Sequence, residues 1–381
     1  MKKLFIDFKT WILISVFIFA GNLNLLSQED IIYIPTVVHV IYTDSSYTNI
    51  SDAQIYSAID ALNDDFRRRV GTQGYGNGAD TEIEFCLAHF DPDGYPTSGI
   101  DRIYCTGNCA LGYDMIGIVP NTNEIKVKDL SRWPVEHYYN IWVVHKIGVS
   151  APEPNGFSYM PGANPDLEGA VVLYSAFGIG HEFDGILDPT TNLNRTITHI
   201  TGHYLDLFHT FEGDNNGTEC PSNNDCIHQG DWCCDTPPHI RSNNDCKDDE
   251  TNECDNFNSN KYFVHNYMDY SSESCKNEFT GDQTNRMRAL FLQNGFRKEM
   301  LNSQGCYILP IGTDCIDQNI DFEGFNATPY PPNDWHSESL SIMDGWEDGG
   351  YTTPWYCNTP ENTYIGISSY SSIINSIFGN E

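Results

Sequence analysis

The chain contains few basic residues for its length. There are 20 lysines and arginines against 53 aspartates and glutamates in 381 residues, which gives a formal net charge of −33 at pH 7. A phosphate backbone would be repelled by such a surface rather than neutralised, so nucleic acid is excluded as the expected partner. The charge suits an extracellular protein, and 40% hydrophobic residues are enough for a sizeable core.

Long hydrophobic runs are also missing. The best candidate is an apolar stretch at residues 11–20, which follows Lys2, Lys3 and Lys9. This layout is typical of a secretory signal peptide, so we expect residues 1–27 to be removed and the protein to be secreted. The stretch is too short to cross a bilayer of about 30 Å hydrocarbon thickness, and no membrane anchor is expected. An uncleaved N-terminal anchor helix is the alternative.

The 13 cysteines of an exported chain predict disulfide bonds. Most lie between Cys220 and Cys315, where Asn, Asp, Ser and Gly dominate and little regular secondary structure is expected. Cys233 and Cys234 are adjacent, unlike the Cys-x-x-Cys pairs of a zinc knuckle, so structural disulfides are favoured over a second zinc site. The odd number leaves one thiol unpaired or without its partner.

Runs of β-branched and aromatic residues, separated by Gly, Pro and Asp, predict a sheet. The predicted strands cover residues 31–42, 81–89, 140–145 and 170–174. The first of them is apolar along most of its length, which indicates a buried strand. Few helical segments interrupt the strands, so we expect an α/β fold with a mixed sheet.

Three segments have helical patterns. The first opens at Ser51, which has capping-box form with Gln54, and continues to about Arg69 with apolar residues at helical spacing. These apolar residues are Ile55, Ile59, Leu62 and Phe66. The second helix begins near Thr196, and the third is predicted over residues 282–301. The expected core contacts of the third are Leu290, Leu292 and Phe296.

The composition changes after Cys306. Residues 316–381 are rich in Tyr, Ser, Thr, Pro, Gly and Trp and have no helical periodicity, so we predict a separate β-rich module there. Phe322, Phe325 and Trp335 weakly resemble the opening strands of jelly-roll adhesion domains of secreted bacterial proteins. Such modules usually contain more residues, which predicts a truncated one.

The most informative segment is THITGHYLDLFH at residues 198–209. Positions i and i+4 of a helix face the same side, so the imidazoles of His199 and His203 can both reach one metal ion. His209 follows six residues later, and it joins them only if the helix ends and the chain turns back. Three histidines hold zinc with a fourth position open for water or substrate, as in catalytic zinc sites.

This segment resembles the metzincin signature H-E-x-x-H-x-x-G-x-x-H, with two substitutions. Further motifs, spread over about residues 31–301, resemble those of the pappalysin family of secreted zinc metalloproteases, which includes ulilysin-like bacterial enzymes. They are IPTVVHV (34–40), NISDAQ (49–54), LNDDFR (62–67), IEFCL (83–87), DPDG (91–94), NIW (140–142), HYL (203–205), HTF (209–211), DTP (235–237), NYMDY (266–270) and FTG (279–281). Their order and spacing identify residues 28–305 as a pappalysin-like metalloprotease domain.

The resemblance implies an α/β metzincin-type domain, in which a twisted mixed sheet and two long helices lie over an irregular, disulfide-rich lower half. It implies zinc held by His199, His203 and His209, with Met268 as the turn methionine beneath the metal. Tyr270 would steady the tetrahedral intermediate of peptide hydrolysis. The substrate or ligand would be a polypeptide that adds as a strand to the edge of the sheet along the cleft.

The family pattern also places calcium in the acidic loop around Asp231 and Asp235. Several carboxylates and carbonyls there offer the oxygen ligands that calcium prefers. No individual calcium ligand is predicted.

Two residues depart from the family pattern. Asp206 stands where the family has glycine, at a position that needs a left-handed backbone to bring His209 round. Aspartate is among the least costly replacements there, so metal binding should survive in weakened form.

Ile200 stands where the family has the glutamate that takes a proton from the attacking water and passes it to the leaving amine. A hydrocarbon does neither, and such acid–base help is typically worth about 10²–10⁴-fold in rate.

Three hypotheses for function follow. The favoured one is a zinc-binding pseudoprotease that captures or shields peptides, because Ile200 removes the general base. The alternative is an active zinc endopeptidase, favoured by the intact histidines, Met268 and Tyr270. Its unconventional base would be a carboxylate such as Glu182 or Asp206. The third is a decaying gene product, suggested by the odd cysteine count and the short C-terminal module.

Overall fold

The computed structural model describes residues 31–45, 47–148, 154–183, 185–292 and 294–306. It also describes two short strands further on, Tyr356–Asn358 and Tyr364–Gly366, which pair antiparallel. The predicted signal peptide at residues 1–27 lies outside the described residues. So does the predicted module at residues 316–381, apart from those two strands.

Six strands form the main sheet, which is mixed as predicted. They are β1 (Ile32–Tyr42), β2 (Ile83–Leu87), β3 (Ile100–Tyr104), β4 (Tyr139–Val144), β5 (Gly156–Ser158) and β6 (Ala170–Leu173). The order along the sheet is β2, β1, β4, β6, β5, and β3 pairs with the second half of β1. All pairs are parallel except that of β5 with β6. The four predicted strands correspond to β1, β2, β4 and β6, whereas the sequence patterns do not predict β3 and β5.

β1 runs through the centre of the sheet. It pairs with β2 and β3 on one side and with β4 on the other, and its residues 34–41 are all buried. A parallel strand covered on both faces needs nearly continuous apolar side chains. This requirement explains the long apolar run that predicted the strand.

Five α-helices accompany the sheet in the described part of the chain. They are α1 (Asp52–Phe66), α2 (Tyr113–Ile116), α3 (Glu124–Lys128), α4 (Arg195–Tyr204) and α5 (Gly281–Ala289). α1 begins as predicted, because the Ser51 hydroxyl accepts a hydrogen bond from the backbone N–H of Gln54 at 3.2 Å. The Gln54 side chain does not close the capping box, since it donates to the carbonyls of Tyr174 and Phe177 instead. No described helix is long and apolar enough to span a membrane.

The prediction of a third helix over residues 282–301 is wrong in its length. α5 ends at Ala289. Leu290 is buried as expected, but Leu292 and Phe296 are 67% and 74% exposed. Neither of these two residues is a core contact.

The physical reason is a tight turn after α5. The backbone N–H of Arg297 donates to the carbonyl of Leu290 at 2.9 Å, so the chain folds back on itself. Gly295 packs so closely against this carbonyl that a Cβ atom would lie 2.0 Å from its oxygen. Only glycine fits there, and the chain continues as the 3-10 helix Lys298–Asn302.

The main core lies between the sheet and the helices α1 and α4. Buried side chains such as Leu62 and Phe66 of α1 and Ile197 of α4 meet the apolar side chains of the sheet. All four predicted apolar residues of α1 are buried, which confirms the helical pattern. A smaller cluster around Trp142 covers the other face of the sheet with side chains from α2 and α3.

The segment that follows α4 has little regular structure, as predicted. Its short strands β7 (Thr251–Asn252) and β8 (Asn258–Ser259) form a two-stranded ladder. Three disulfides cross-link the segment: Cys220–Cys254, Cys226–Cys234 and Cys246–Cys275. Two others are Cys86–Cys306 and Cys105–Cys109. The predicted disulfide bonding is confirmed, and among the described cysteines Cys233 is unpaired and buried.

Candidate metal centre

Two buried carboxylates fix the first turns of α4. Asp65 of α1 accepts hydrogen bonds from the Arg195 guanidinium at 2.5 Å and from the Thr198 hydroxyl at 2.6 Å. Glu273 accepts the backbone N–H of Thr196 at 2.8 Å, at a helix start where the side chain of the N-cap residue Asn194 accepts no N–H of the helix. Negative charge near a helix N-terminus is stabilising, so both carboxylates favour this placement of α4.

The chain turns back immediately after α4. The backbone N–H of Leu207 donates to the carbonyl of Gly202 at 2.9 Å, which closes the helix end. Asp206, between them, has a φ of 73°, the left-handed conformation that the family's glycine at this position implies. This reversal brings His209 against the helix face that carries His203.

The three predicted histidines converge. The Nε2 atom of His203 lies 3.1 Å from the Nε2 atom of His199 and 3.1 Å from that of His209. In tetrahedral zinc sites with Zn–N bonds of roughly 2.0–2.1 Å, neighbouring nitrogens are about 3.3 Å apart. The spacing therefore fits a single small metal ion.

Hydrogen bonds to backbone carbonyls determine which ring nitrogen of His199 and of His203 carries the proton. The Nδ1 atom of His199 donates to the Tyr267 carbonyl at 2.7 Å, and that of His203 donates to the Leu207 carbonyl at 2.7 Å. Burial lowers the pKa of all three rings, that of His209 to about 3, so the rings are neutral. The Nε2 atoms of the first two rings then present lone pairs at close range, an arrangement that a bound cation stabilises.

Met268, which the family pattern gives as the turn methionine, packs against the helix that carries His199 and His203. Its side chain is fully buried. It packs against α4 at Gly202, where a Cβ atom would lie 2.4 Å from the Met268 sulfur. A side chain at residue 202 would therefore require the buried Met268 side chain to move.

We expect Gly202→Ala to lower the free energy of unfolding by about 1–3 kcal/mol, because the added methyl group overlaps the Met268 sulfur. Alanine normally stabilises a helix by about 1 kcal/mol relative to glycine. The expected change in the free energy of unfolding therefore has the opposite sign to that predicted from helix propensity alone. Urea unfolding of the metal-free protein measures the effect. The matched control is Gly281→Ala in α5, where a Cβ atom would meet only an Asp235 oxygen at 3.5 Å. Equal changes in the two variants would contradict the prediction.

Tyr270 lies beside the three histidines. Its ring centroid is 4.9 Å from that of His209 and 5.7 Å from that of His199, and the residue is 41% exposed. Phe211 and the Arg241 guanidinium flank the ring at 4.7 and 5.8 Å. Burial of the phenol raises its pKa, so the hydroxyl stays protonated and remains a hydrogen-bond donor.

Ile200 follows the first histidine and faces the edge strand β5. The residue is 3% exposed and belongs to the main core. Its Cδ1 atom lies 3.1 Å from the place where a Cβ atom on Gly156 would be, and its carbonyl accepts a hydrogen bond from the Ser158 hydroxyl at 2.6 Å. The position of the family's general base is thus filled by buried hydrocarbon.

The two carboxylates considered as substitutes differ in what the structure says of them. Asp206 forms an ion pair with Arg286 at 2.8 Å, so its carboxylate already has a partner away from the histidines. The side chain of Glu182 lies outside the described residues. Among described side chains, the cluster that could hold a metal ion consists of His199, His203 and His209, and no carboxylate belongs to it.

The acidic loop around Asp231 and Asp235 uses its carboxylates within the protein. Asp231 is buried and accepts hydrogen bonds from the Thr236 hydroxyl at 2.8 Å, and burial raises its pKa to about 7. Asp235 accepts the Thr280 hydroxyl at 2.7 Å and the Asp282 N–H at 2.8 Å. Calcium binding in this loop stays a prediction.

Sequence reasoning did not identify the residues that position the centre. Asp65, Glu273 and Arg286 come from three different elements and contact α4 or the turn after it. Asp65 lies within the LNDDFR motif, on the buried face of α1. A polar residue on an otherwise apolar helix face is a signal that could have identified it. Periodicity and spacing contain no comparable signal for Glu273 or Arg286.

The mixed sheet and the three-histidine centre define a metallopeptidase-type domain, and comparison with known proteins agrees. A structure of mirolysin in complex with compound 9 is 35% identical and covers 71% of this chain and 96% of that chain, with a TM-score of 0.59. Mature mirolysin of Tannerella forsythia in complex with a cleaved peptide is also 35% identical, with a TM-score of 0.57. It covers 71% of this chain and 95% of that chain.

The family model Peptidase M43, described as pregnancy-associated plasma protein-A, matches residues 121–292. An extracellular metalloprotease of Pyricularia oryzae is 27% identical over 282 residues, which are 72% of this chain and 80% of that protein. Extracellular metalloprotease 1 of Coccidioides posadasii is 32% identical over 179 residues, which are 45% of this chain and 55% of that protein. The chain belongs to this pappalysin family of metallopeptidases, which confirms the resemblance of its motifs.

Proposed function

We propose that this protein is an extracellular, zinc-binding pseudoprotease that holds extended peptides in its cleft and hydrolyses them slowly or not at all. The observation that carries the proposal is Ile200. Its side chain is a buried hydrocarbon at the position where the family has its general base. The extracellular location is supported by the relatives, which are named extracellular metalloproteases.

Zinc binding is supported by the geometry of the centre. Three neutral imidazoles converge at Nε2 distances of 3.1 Å, and two of them are oriented by backbone carbonyls. When bound, zinc would supply Lewis-acid chemistry, since it polarises a carbonyl group and makes water more acidic. Tyr270 would add a hydrogen-bond donor beside it. None of these groups takes a proton from the attacking water and delivers it to the leaving amine.

The size of the expected defect follows from the missing proton transfer. General acid–base catalysis typically contributes about 10²–10⁴-fold in rate, and the family glutamate also orients the attacking water. Asp206 is already paired to Arg286, and among the described side chains no carboxylate joins the three histidines in the cluster. We therefore expect the loss to lie at the upper end of that range or beyond it.

Peptide binding is supported by the edge strand β5. Among the described strands it pairs with β6 alone, through Gly156, Phe157 and Ser158. The other edge offers backbone N–H and C=O groups to an extended peptide, which would bind by adding a strand to the sheet. Ile200 packs directly against this strand. The isoleucine in place of the family glutamate would therefore remove the general base and leave the edge of β5 in place for peptide binding.

A second candidate function is a working zinc endopeptidase with an unconventional base. It is favoured by the converging histidines and by Tyr270, which remains half-exposed beside them. The raised pKa of the phenol disfavours Tyr270 as the base at neutral pH.

The test combines three measurements on the purified protein: bound zinc, cleavage of an unstructured protein, and binding of an extended peptide with and without zinc. We expect one zinc ion per chain, peptide binding, and no cleavage above that of a His203→Ala control. That control removes a metal ligand and should lose zinc. Chelator-sensitive cleavage by the wild-type protein at a rate typical of working peptidases would establish the second candidate instead.

A further inference from the structure

We infer that Arg286 is a positioning residue for the metal centre, which holds Asp206 in the left-handed conformation that returns His209 to the other two histidines. The inference rests on zinc occupying the centre, as proposed above. It concerns a role for residues outside the three ligands.

Arg286 binds both the backbone and the side chain of Asp206. Its Nε atom donates to the Asp206 carbonyl at 2.5 Å, and its terminal nitrogen contacts the Asp206 carboxylate at 2.8 Å. Hydrogen bonds between two charged groups are roughly twice as strong as neutral ones. Two contacts to one residue fix the orientation of its peptide group as well as that of its side chain.

The same guanidinium also contacts the next part of the turn. Its central carbon lies 5.1 Å from the ring centroid of Phe208 and 4.9 Å from that of Trp232. Asp206 and Phe208 flank Leu207, whose carbonyl accepts the Nδ1 proton of His203 at 2.7 Å. Arg286 therefore contacts the residues on both sides of Leu207, which orients His203. These contacts lie in the turn that leads to His209.

The identity of residue 206 explains why this turn needs a stabilising contact. A residue with a Cβ atom is disfavoured at a φ of 73°, whereas glycine adopts this conformation freely. Arg286 projects from the last turn of α5, which begins with a closed capping box formed by Thr280 and Gln283. An anchored helix thus supplies the restraint that offsets the unfavourable backbone of Asp206. The two residues act as a pair, and Arg286 should matter less when residue 206 has no Cβ atom.

A double-mutant cycle tests this coupling. The variants are Arg286→Met, Asp206→Gly and the combination of both, and the measured quantity is the zinc dissociation constant from competition with a chelator. We expect Arg286→Met to weaken zinc binding by about 10–100-fold, as the loss of an outer partner of a metal ligand does. Asp206→Gly and the combined variant should both stay within about threefold of the wild type.

Two controls separate positioning from general damage. Arg288→Met removes another arginine of α5, whose guanidinium contacts the carbonyls of Thr81 and Glu82, and should leave zinc affinity unchanged. Arg286→Lys keeps the charge and the stem but loses the two-point contact, and should still weaken zinc binding. Far-ultraviolet circular dichroism of the metal-free variants checks that they are folded.

The outcomes are distinguishable. Unchanged zinc affinity in Arg286→Met and Arg286→Lys would overturn the inference while leaving the proposed function standing. An equal loss from Arg286→Met with and without Asp206→Gly would also overturn it, because the two residues would then act independently. A wild-type protein that binds no zinc would overturn both.

Discussion

Replacing Ile200 with glutamate should give the protein a zinc-dependent endopeptidase activity at least about 100-fold above that of the wild type. The expected gain is the contribution of general acid–base catalysis, about 10²–10⁴-fold. The rest of the centre is in place, because the three histidines converge and Tyr270 lies beside them. Chelator-sensitive cleavage of an unstructured protein measures the gain.

The same replacement should lower stability. Ile200 is 3% exposed and packs in the main core, so a glutamate there loses apolar contacts and brings a carboxyl group into a largely dry site. A buried polar group without full hydrogen bonding costs about 1–3 kcal/mol. Urea unfolding of the metal-free protein should show a loss of this size. We expect the protein to stay folded, because none of the five disulfides between described cysteines involves a residue of α4.

The matched control is Ile200→Gln, which has nearly the same shape as the glutamate variant and cannot take up a proton. It should be as destabilised as Ile200→Glu and as inactive as the wild type. A glutamine variant that cleaves as fast as the glutamate variant would show that shape, and not proton transfer, limits the wild-type protein. A folded, zinc-loaded Ile200→Glu protein without activity would show that a second defect exists.

Replacing Arg195 with methionine should lower the free energy of unfolding by about 3–5 kcal/mol. The Arg195 guanidinium and the Asp65 carboxylate form a buried ion pair at 2.5 Å, with both side chains almost completely inaccessible. Removing one partner leaves an uncompensated buried charge, which is the costly case for such pairs. The bond also joins α1 to the start of α4, so zinc affinity should fall together with stability. Urea unfolding with and without zinc separates the two effects.

The control removes both charges. In Asp65→Leu/Arg195→Met no buried charge is left, and replacing a whole buried pair by apolar residues is often neutral. The Thr198 hydroxyl keeps its second acceptor, the Asn194 carbonyl at 3.3 Å. We expect the double variant to regain most of the lost stability. A single variant that costs less than about 1 kcal/mol would mean that the pair is not the anchor of α4.

Local patterns determined much of this protein. The i, i+4 spacing of His199 and His203 and the position of His209 predicted the convergence that the structure contains, because helix geometry places residues four apart on one face. The left-handed backbone at Asp206 was implied by the resemblance to the family, which has glycine at this position. Continuous apolar runs predicted four of the strands, and the cysteine content predicted the disulfide-rich region.

Contacts between distant segments were decided only by the tertiary structure. The end of α5 depends on the turn in which Arg297 reaches back to Leu290, which no helical period contains. The partner of Asp206 is Arg286, 80 residues further along the chain. The partner of Arg195 is Asp65, 130 residues earlier. Periodicity reports which face of an element is buried, whereas the choice of partner depends on how separate elements pack, and the sequence of one segment does not contain that information.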